Sequence, residues 1–79
     1  VNIHDLTIMQ LLRFVSSSDM DASEFGTRYV LYLSLLAKNN RSLDERDYMM
    51  TLWRALVDSY SNEAFRQHLS EVLRGREVR

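Results

Sequence analysis

Cysteine is absent from this 79-residue chain, which excludes disulfides, thiolate metal sites and cysteine nucleophiles. Proline is absent too, and glycine occurs only at Gly26 and Gly75. So few turn-forming residues argue against the many tight connections of a β protein. Neither sign of charge dominates: ten Lys and Arg against eleven Asp and Glu leave a net charge of −1. A dedicated polyanion binder usually carries a strong basic excess, so the composition disfavours that class. Long apolar runs are missing as well. The most apolar stretch, Tyr29 to Ala37, is broken by Ser34 and falls far short of the ~20 residues that span a bilayer. It reads as a buried core helix. No segment has the basic start, apolar middle and cleavage site of a signal peptide. The expectation is a soluble, cytoplasmic protein with no membrane partner. Val1 stands where a native chain would have methionine, so the native start is expected upstream.

What is present is the composition of a folded globule. Apolar residues make up 46% of the chain and charged residues 27%, too apolar a mixture for a disordered tail. The length suffices for one domain, residues 1–79, and no second. Hydrophobic spacing predicts an all-α bundle of three to four helices, at about residues 5–15, 22–38, 43–59 and 62–74. In the first segment Ile3, Leu6, Met9 or Leu12, and Val15 recur at steps of three and four, with Asp5 or Thr7 as cap. The Ser16-Ser17-Ser18-Asp19 run ends it, because such side chains offer the backbone non-helical hydrogen bonds. Asp21 to Glu24 reads as a capping box for the second helix, and Asn39-Asn40 as the left-handed turn that closes it.

Ser42 to Glu45 is the clearest capping box and opens the third helix, whose apolar stripe is Met49, Trp53, Leu56 and Tyr60. Ser59-Tyr60-Ser61 is the expected connection, with Ser61 or Asn62 capping the fourth helix. There Phe65, His68, Leu69, Val72 and Leu73 fall on one face. Gly75 is the expected stop, ahead of a frayed tail from Arg76 to Arg79.

The second helix is apolar all round, and such a helix must be covered all round. One face carries Ala22, Phe25, Tyr29, Tyr32 and Leu36, the other Gly26, Val30, Leu33 and Ala37. A chain this short buries only about 60% of its unfolded surface, so a second copy is the economical cover. An intertwined homodimer is therefore preferred to a monomeric bundle. Its expected interface is Phe25, Gly26, Tyr29, Tyr32, Leu33 and Leu36, with Gly26 allowing a close helix contact.

Candidate chemistry is sparse. His4 and His68 lie far apart in sequence without the local pairing of a zinc site, and His68 is expected to pair with Glu71. The serines sit in caps and turns, outside any nucleophile elbow or phosphate-binding glycine loop. The acidic clusters lie at helix starts, where the dipole accounts for them. Neither an enzyme nor a cofactor is expected. Nine of the ten basic residues are arginine, and Arg66 and Arg74 share the outer face of the last helix. Glu63, Glu71 and Glu77 interrupt that patch, so a solvated face is preferred to a DNA-reading one. The candidate partner-binding residues are Tyr48, Met50, Trp53, Arg66 and Arg74. Methionine and aromatic side chains, where uncovered, make adaptable contact surfaces.

The pattern Leu43-Asp44, Tyr48-Met49-Met50, Leu52, Leu56, Phe65-Arg66, Leu69 and Val72-Leu73-Arg74, with the opening Ile3 to Arg13, resembles the AriR (YmgB) family. These are small enterobacterial biofilm and acid-stress regulators. The resemblance implies a dimeric all-α regulator that binds a partner protein or DNA, with no catalytic residues to carry over. The reading is then a small regulatory or adaptor protein acting by protein–protein contact, as a homodimer. The alternatives are a dimeric DNA-binding regulator and an immunity or inhibitor protein whose acidic edge, Asp44 to Asp47, meets a larger enzyme.

Overall fold

Each helix begins where a polar side chain can satisfy its first free amides. In the computed structural model, which describes residues 3–78 with side chains through Gly75, a 3-10 turn at Ile3–Asp5 precedes four helices. They are α1 (Ile8–Val15), α2 (Met20–Ala37), α3 (Leu43–Ser61) and α4 (Glu63–Val78). The all-α expectation holds, with no strand among the described residues. Thr7 and Gln10 form a reciprocal capping box on α1, as do Ser42 and Glu45 on α3. Asn62 caps α4, its Oδ1 accepting the Phe65 amide at 3.1 Å.

Other boundaries differ from the expected ones. α2 is capped by Asp19, not Asp21: Asp19 Oδ1 accepts the Ala22 amide at 3.0 Å, while Ser17 Oγ accepts the Asp19 amide. Asp21 falls in the first turn, where a carboxylate favours the dipole. The Ser59-Tyr60-Ser61 segment is helical because Tyr60 is needed on the core, stacked against Phe25 at 6.0 Å. The break is Asn62 alone, with extended backbone. α4 continues through Gly75, which has no positive φ. The expected stop is thus absent, and the tail expected at Arg76 to Arg79 is helical as far as Val78. The Arg76, Glu77 and Val78 side chains, and all of Arg79, lie outside the described residues.

The core lies where all four helices meet. Phe25 of α2 touches Phe14 of α1 (6.2 Å between centroids), Tyr60 of α3, and Phe65 of α4 (5.4 Å). Leu11, Phe14, Ala22, Tyr29, Leu56 and Leu69 close around it. α1 runs back along the first half of α2. Tyr29 Oη donates to the Ile3 carbonyl at 3.2 Å, and Ser23 Oγ donates to the Val15 carbonyl at 3.0 Å.

Gly26 is what lets α1 come so near. A Cβ built there would lie 2.9 Å from the Leu11 carbonyl oxygen, the Phe14 Cβ and the Val15 nitrogen. The close approach expected at Gly26 is real, but the neighbour is the chain's own α1. Two of those three atoms are backbone and cannot swing aside. Gly26→Ala is therefore expected to lower stability by about 1–3 kcal/mol through overpacking, although alanine favours a helix over glycine by ~1 kcal/mol. Urea unfolding followed by circular dichroism checks this, and a stabilised variant would show the contact to be looser than described.

Candidate functional site

Lengths decide what stays uncovered. At 1.5 Å per residue, the eight residues of α1 reach about 12 Å, whereas the eighteen of α2 reach about 27 Å. The cover by α1 and the 3-10 turn reaches Tyr29 on α2 and, through His4, Trp53 on α3. α4 crosses the same half, with His68 beside Asp19 at the start of α2. Beyond Tyr29 no α2 side chain is fully buried, and before Leu52 no α3 side chain is. The molecule is accordingly elongated, 43 × 22 × 21 Å, with a two-helix hairpin projecting from a four-helix base. On that hairpin Leu31, Leu36, Leu43, Tyr48 and Met50 are exposed, Leu43 by 77% and Met50 by 66%.

The hairpin keeps its shape through polar contacts at its tip. Arg41 turns back onto the end of α2 and donates from one terminal nitrogen to the Leu35, Leu36 and Lys38 carbonyls, at 3.2, 3.1 and 2.8 Å. The Leu35 carbonyl also accepts the Lys38 amide at 3.2 Å, and a cation is favoured at the negative end of the helix dipole. The left-handed Asn39-Asn40 turn does not occur, because no residue other than glycine has a positive φ among those described. Lys38 pairs with Glu45 across the loop. Glu45 also accepts the Ser42 amide at 3.0 Å, so one carboxylate caps α3 and ties it to α2. The Lys38 ammonium, followed by the Ser42 amide, holds the Glu45 carboxyl below its ordinary pKa.

The expected interface residues divide between base and tip. Phe25, Gly26 and Tyr29 are buried within the one chain, so they have no surface to offer a second copy of this fold. Within the single chain α1, α3 and α4 supply their cover. Tyr32 and Leu33 are half-buried and Leu36 is 48% exposed. Among the expected partner contacts, Trp53 is sandwiched between His4 (5.0 Å) and Tyr32 (4.9 Å). Tyr32, Trp53 and Met50 line one open groove of about 890 Å³ along α3, together with Asp47, Arg54 and Val57. Tyr48 lies elsewhere, since two helical positions are separated by about 200°. Arg66 and Arg74 belong to α4, away from the hairpin, and Arg66 is half-buried with its Nε enclosed. The five residues do not form one surface.

No group of three His, Asp or Glu side chains able to hold a metal converges among the described residues. No described helix is long and apolar enough to cross a membrane. Sequence reasoning missed Arg41 as a cap, although a cation just past a helix end is a known signal. It also paired His68 with Glu71, where the structure gives Asp19 as its partner at 2.9 Å. Glu71 adds only a weaker electrostatic pull. That long-range pairing has no sequence signature.

The Asp19–His68 contact has a defined pH signature. Hydrogen bonding to Asp19 raises the His68 pKa above 6.5, with smaller help from Asp19, Asp21 and Glu71 charge. Asp19 is lowered below 3.8, first by the Ala22 amide and then by His68. The histidine's contribution is complete below pH 6.5 and is lost as pH rises through its folded pKa; the aspartate's is present above pH 3.8 and lost on acidification. Stability from this pair is therefore greatest between about pH 4 and 6.5 and declines above. The decline is expected to be small, because the side chains are 36% and 33% exposed. Thermal melts from pH 5 to 8.5 check it: His68→Gln removes the decline, and an unchanged profile would refute the linkage.

No family model, curated protein or solved structure matches this chain.

Proposed function

We propose that the protein is a small regulatory or adaptor module that works by protein–protein contact, as a homodimer. The observation that carries this reading is the bare hairpin: exposed Leu31, Leu36, Leu43, Tyr48 and Met50 on two helices whose ends are firmly capped. Exposed leucine and aromatic side chains offer contact surface to a partner, and methionine suits an adaptable one. A rigid tip loses little conformational freedom on binding, which favours affinity. The regulatory part of the reading comes from the AriR resemblance.

The exposed carboxylates Asp44 and Asp47 on the same tip favour a second reading, an inhibitor that covers a basic site of a larger enzyme. DNA reading by α4 has weaker support. The exposed Glu63 and Glu71 share that helix with Arg66 and Arg74, and Arg66 is partly enclosed.

Sedimentation across concentration tests the proposal. The wild-type chain is expected to associate reversibly. The double variant Leu36→Glu/Met50→Glu, charging both uncovered sides of the hairpin, weakens association at least tenfold, as loss of ~1.5 kcal/mol or more of apolar burial requires. Both positions are exposed, so circular dichroism should remain that of the wild type. A wild-type chain that stays monomeric at all concentrations would overturn the homodimer.

A further inference from the structure

The outer face of α3 carries a pattern that is complementary to itself. Leu43, Asp47, Met50, Arg54, Val57 and Ser61 are spaced by four, three, four, three and four residues, so they form one stripe along the helix. The buried residues Leu52 and Leu56 lie on the opposite side. Leu43, Asp47, Met50 and Arg54 are all exposed, and Val57 is half-buried. Among the described residues Met50 is 66% exposed, beside the groove bordered by Tyr32 and Trp53.

From this the geometry points to a second copy of the chain as the occupant of that face, its α3 antiparallel to the first about a two-fold axis near Met50 and Thr51. This deepens the homodimer reading and rests on it. An isologous contact of this kind places each residue opposite one equally far on the other side of the axis. Asp47 and Arg54 lie nearly equidistant from that axis, one on each side. Each Asp47 then meets the second copy's Arg54, and the pairing occurs twice. The two Met50 side chains meet at the centre. Leu43 reaches Val57 of the other copy at each end. A parallel, in-register pairing would instead set Asp47 beside Asp47 and Arg54 beside Arg54, which like-charge repulsion disfavours. Asp58, one turn beyond Arg54, is exposed and also lines the groove. α3 has nineteen residues and is about 28 Å long, and the Tyr32 and Trp53 side of the groove widens the contact beyond the helix itself.

Charge reversal and cysteine cross-linking on the full chain test this together. Asp47→Arg alone and Arg54→Asp alone are each expected to weaken dimerisation about tenfold or more, and the double reversal to restore it to within about threefold. The absence of native cysteine makes single-cysteine variants clean reporters. Met50→Cys should form a disulfide-linked dimer under mild oxidation, whereas Ser70→Cys on α4 should not. Leu43→Cys should cross-link to Val57→Cys in a mixture more readily than to itself, which a parallel pair would reverse. A dimer indifferent to both reversals, with no Met50→Cys cross-link, would overturn this face and leave the homodimer standing. A wild-type monomer at every concentration would overturn both. Circular dichroism identifies any variant that fails to fold, and the solvent-exposed Met50→Cys carries the test in that case.

Discussion

The packing of Phe25 is the constraint on which the rest of the molecule depends. Among the described residues it meets an aromatic ring from each of the other helices: Phe14, Tyr60 and Phe65. Tyr29 joins from one turn along α2, at 6.2 Å. Edge and stacked contacts of this kind add about 0.5–1.5 kcal/mol each beyond the area they bury. In a chain whose whole stability is expected at ~4–12 kcal/mol, from 0.05–0.15 kcal/mol per residue, a junction of four such contacts is a large share. The caps serve this junction. Asp19 starts α2 early enough to place Ala22 and Phe25 on the core side, and Asn62 turns the chain within one residue so that Phe65 returns to Phe25. His68 then closes the circuit by reaching Asp19 from α4.

Concentrating the core at that junction leaves the other end of the hairpin with little. α2 and α3 are more than twice as long as α1, and α4 folds back over the base. The tip is held by hydrogen bonds and an ion pair, contacts that fix a loop without burying apolar surface. Arg41 on three carbonyls and Glu45 shared between Lys38 and Ser42 do there what side-chain packing does at the base. Polar locks keep the backbone in place while leaving Leu36, Leu43 and Met50 in water. The arrangement therefore combines a hydrogen-bonded tip with exposed apolar side chains, the combination on which the proposed contact rests.

Much of the fold was legible because it is written locally. The Ser42–Glu45 box and the Asn62 cap are short-range patterns that the structure reproduces. The period of Phe65, Leu69 and Val72 likewise found the inner face of α4, where Leu69 is buried. The misses share a different cause. Asp19 and Asp21 are equally good caps in sequence, and the choice depends on how the serine turn packs. Ser59 to Ser61 reads as a connection until Tyr60 is seen to be needed by Phe25. The apolar girdle of α2 was visible, but how much of it the chain itself covers depends on where α1 stops. Gly26 announced a close contact without saying with whom. Of the site, Met50, Trp53 and Tyr32 were legible as residue types, whereas their meeting in one groove required the α2–α3 packing.

The length mismatch also bears on why the stripe on α3 alternates charge with apolar residues. An uncovered face made only of leucine and methionine would adhere to any apolar surface, including misaligned copies of itself. In the proposed antiparallel pair Asp47 and Arg54 interrupt it at positions where that alignment neutralises both, whereas the in-register parallel one neutralises neither. Charged pairs at the edge of an apolar contact contribute modestly to affinity and strongly to register. In the proposed pair the adhesion would come from apolar side chains that the described residues leave exposed. The selectivity of that pair would come from Asp47 and Arg54, which such adhesion alone would not require.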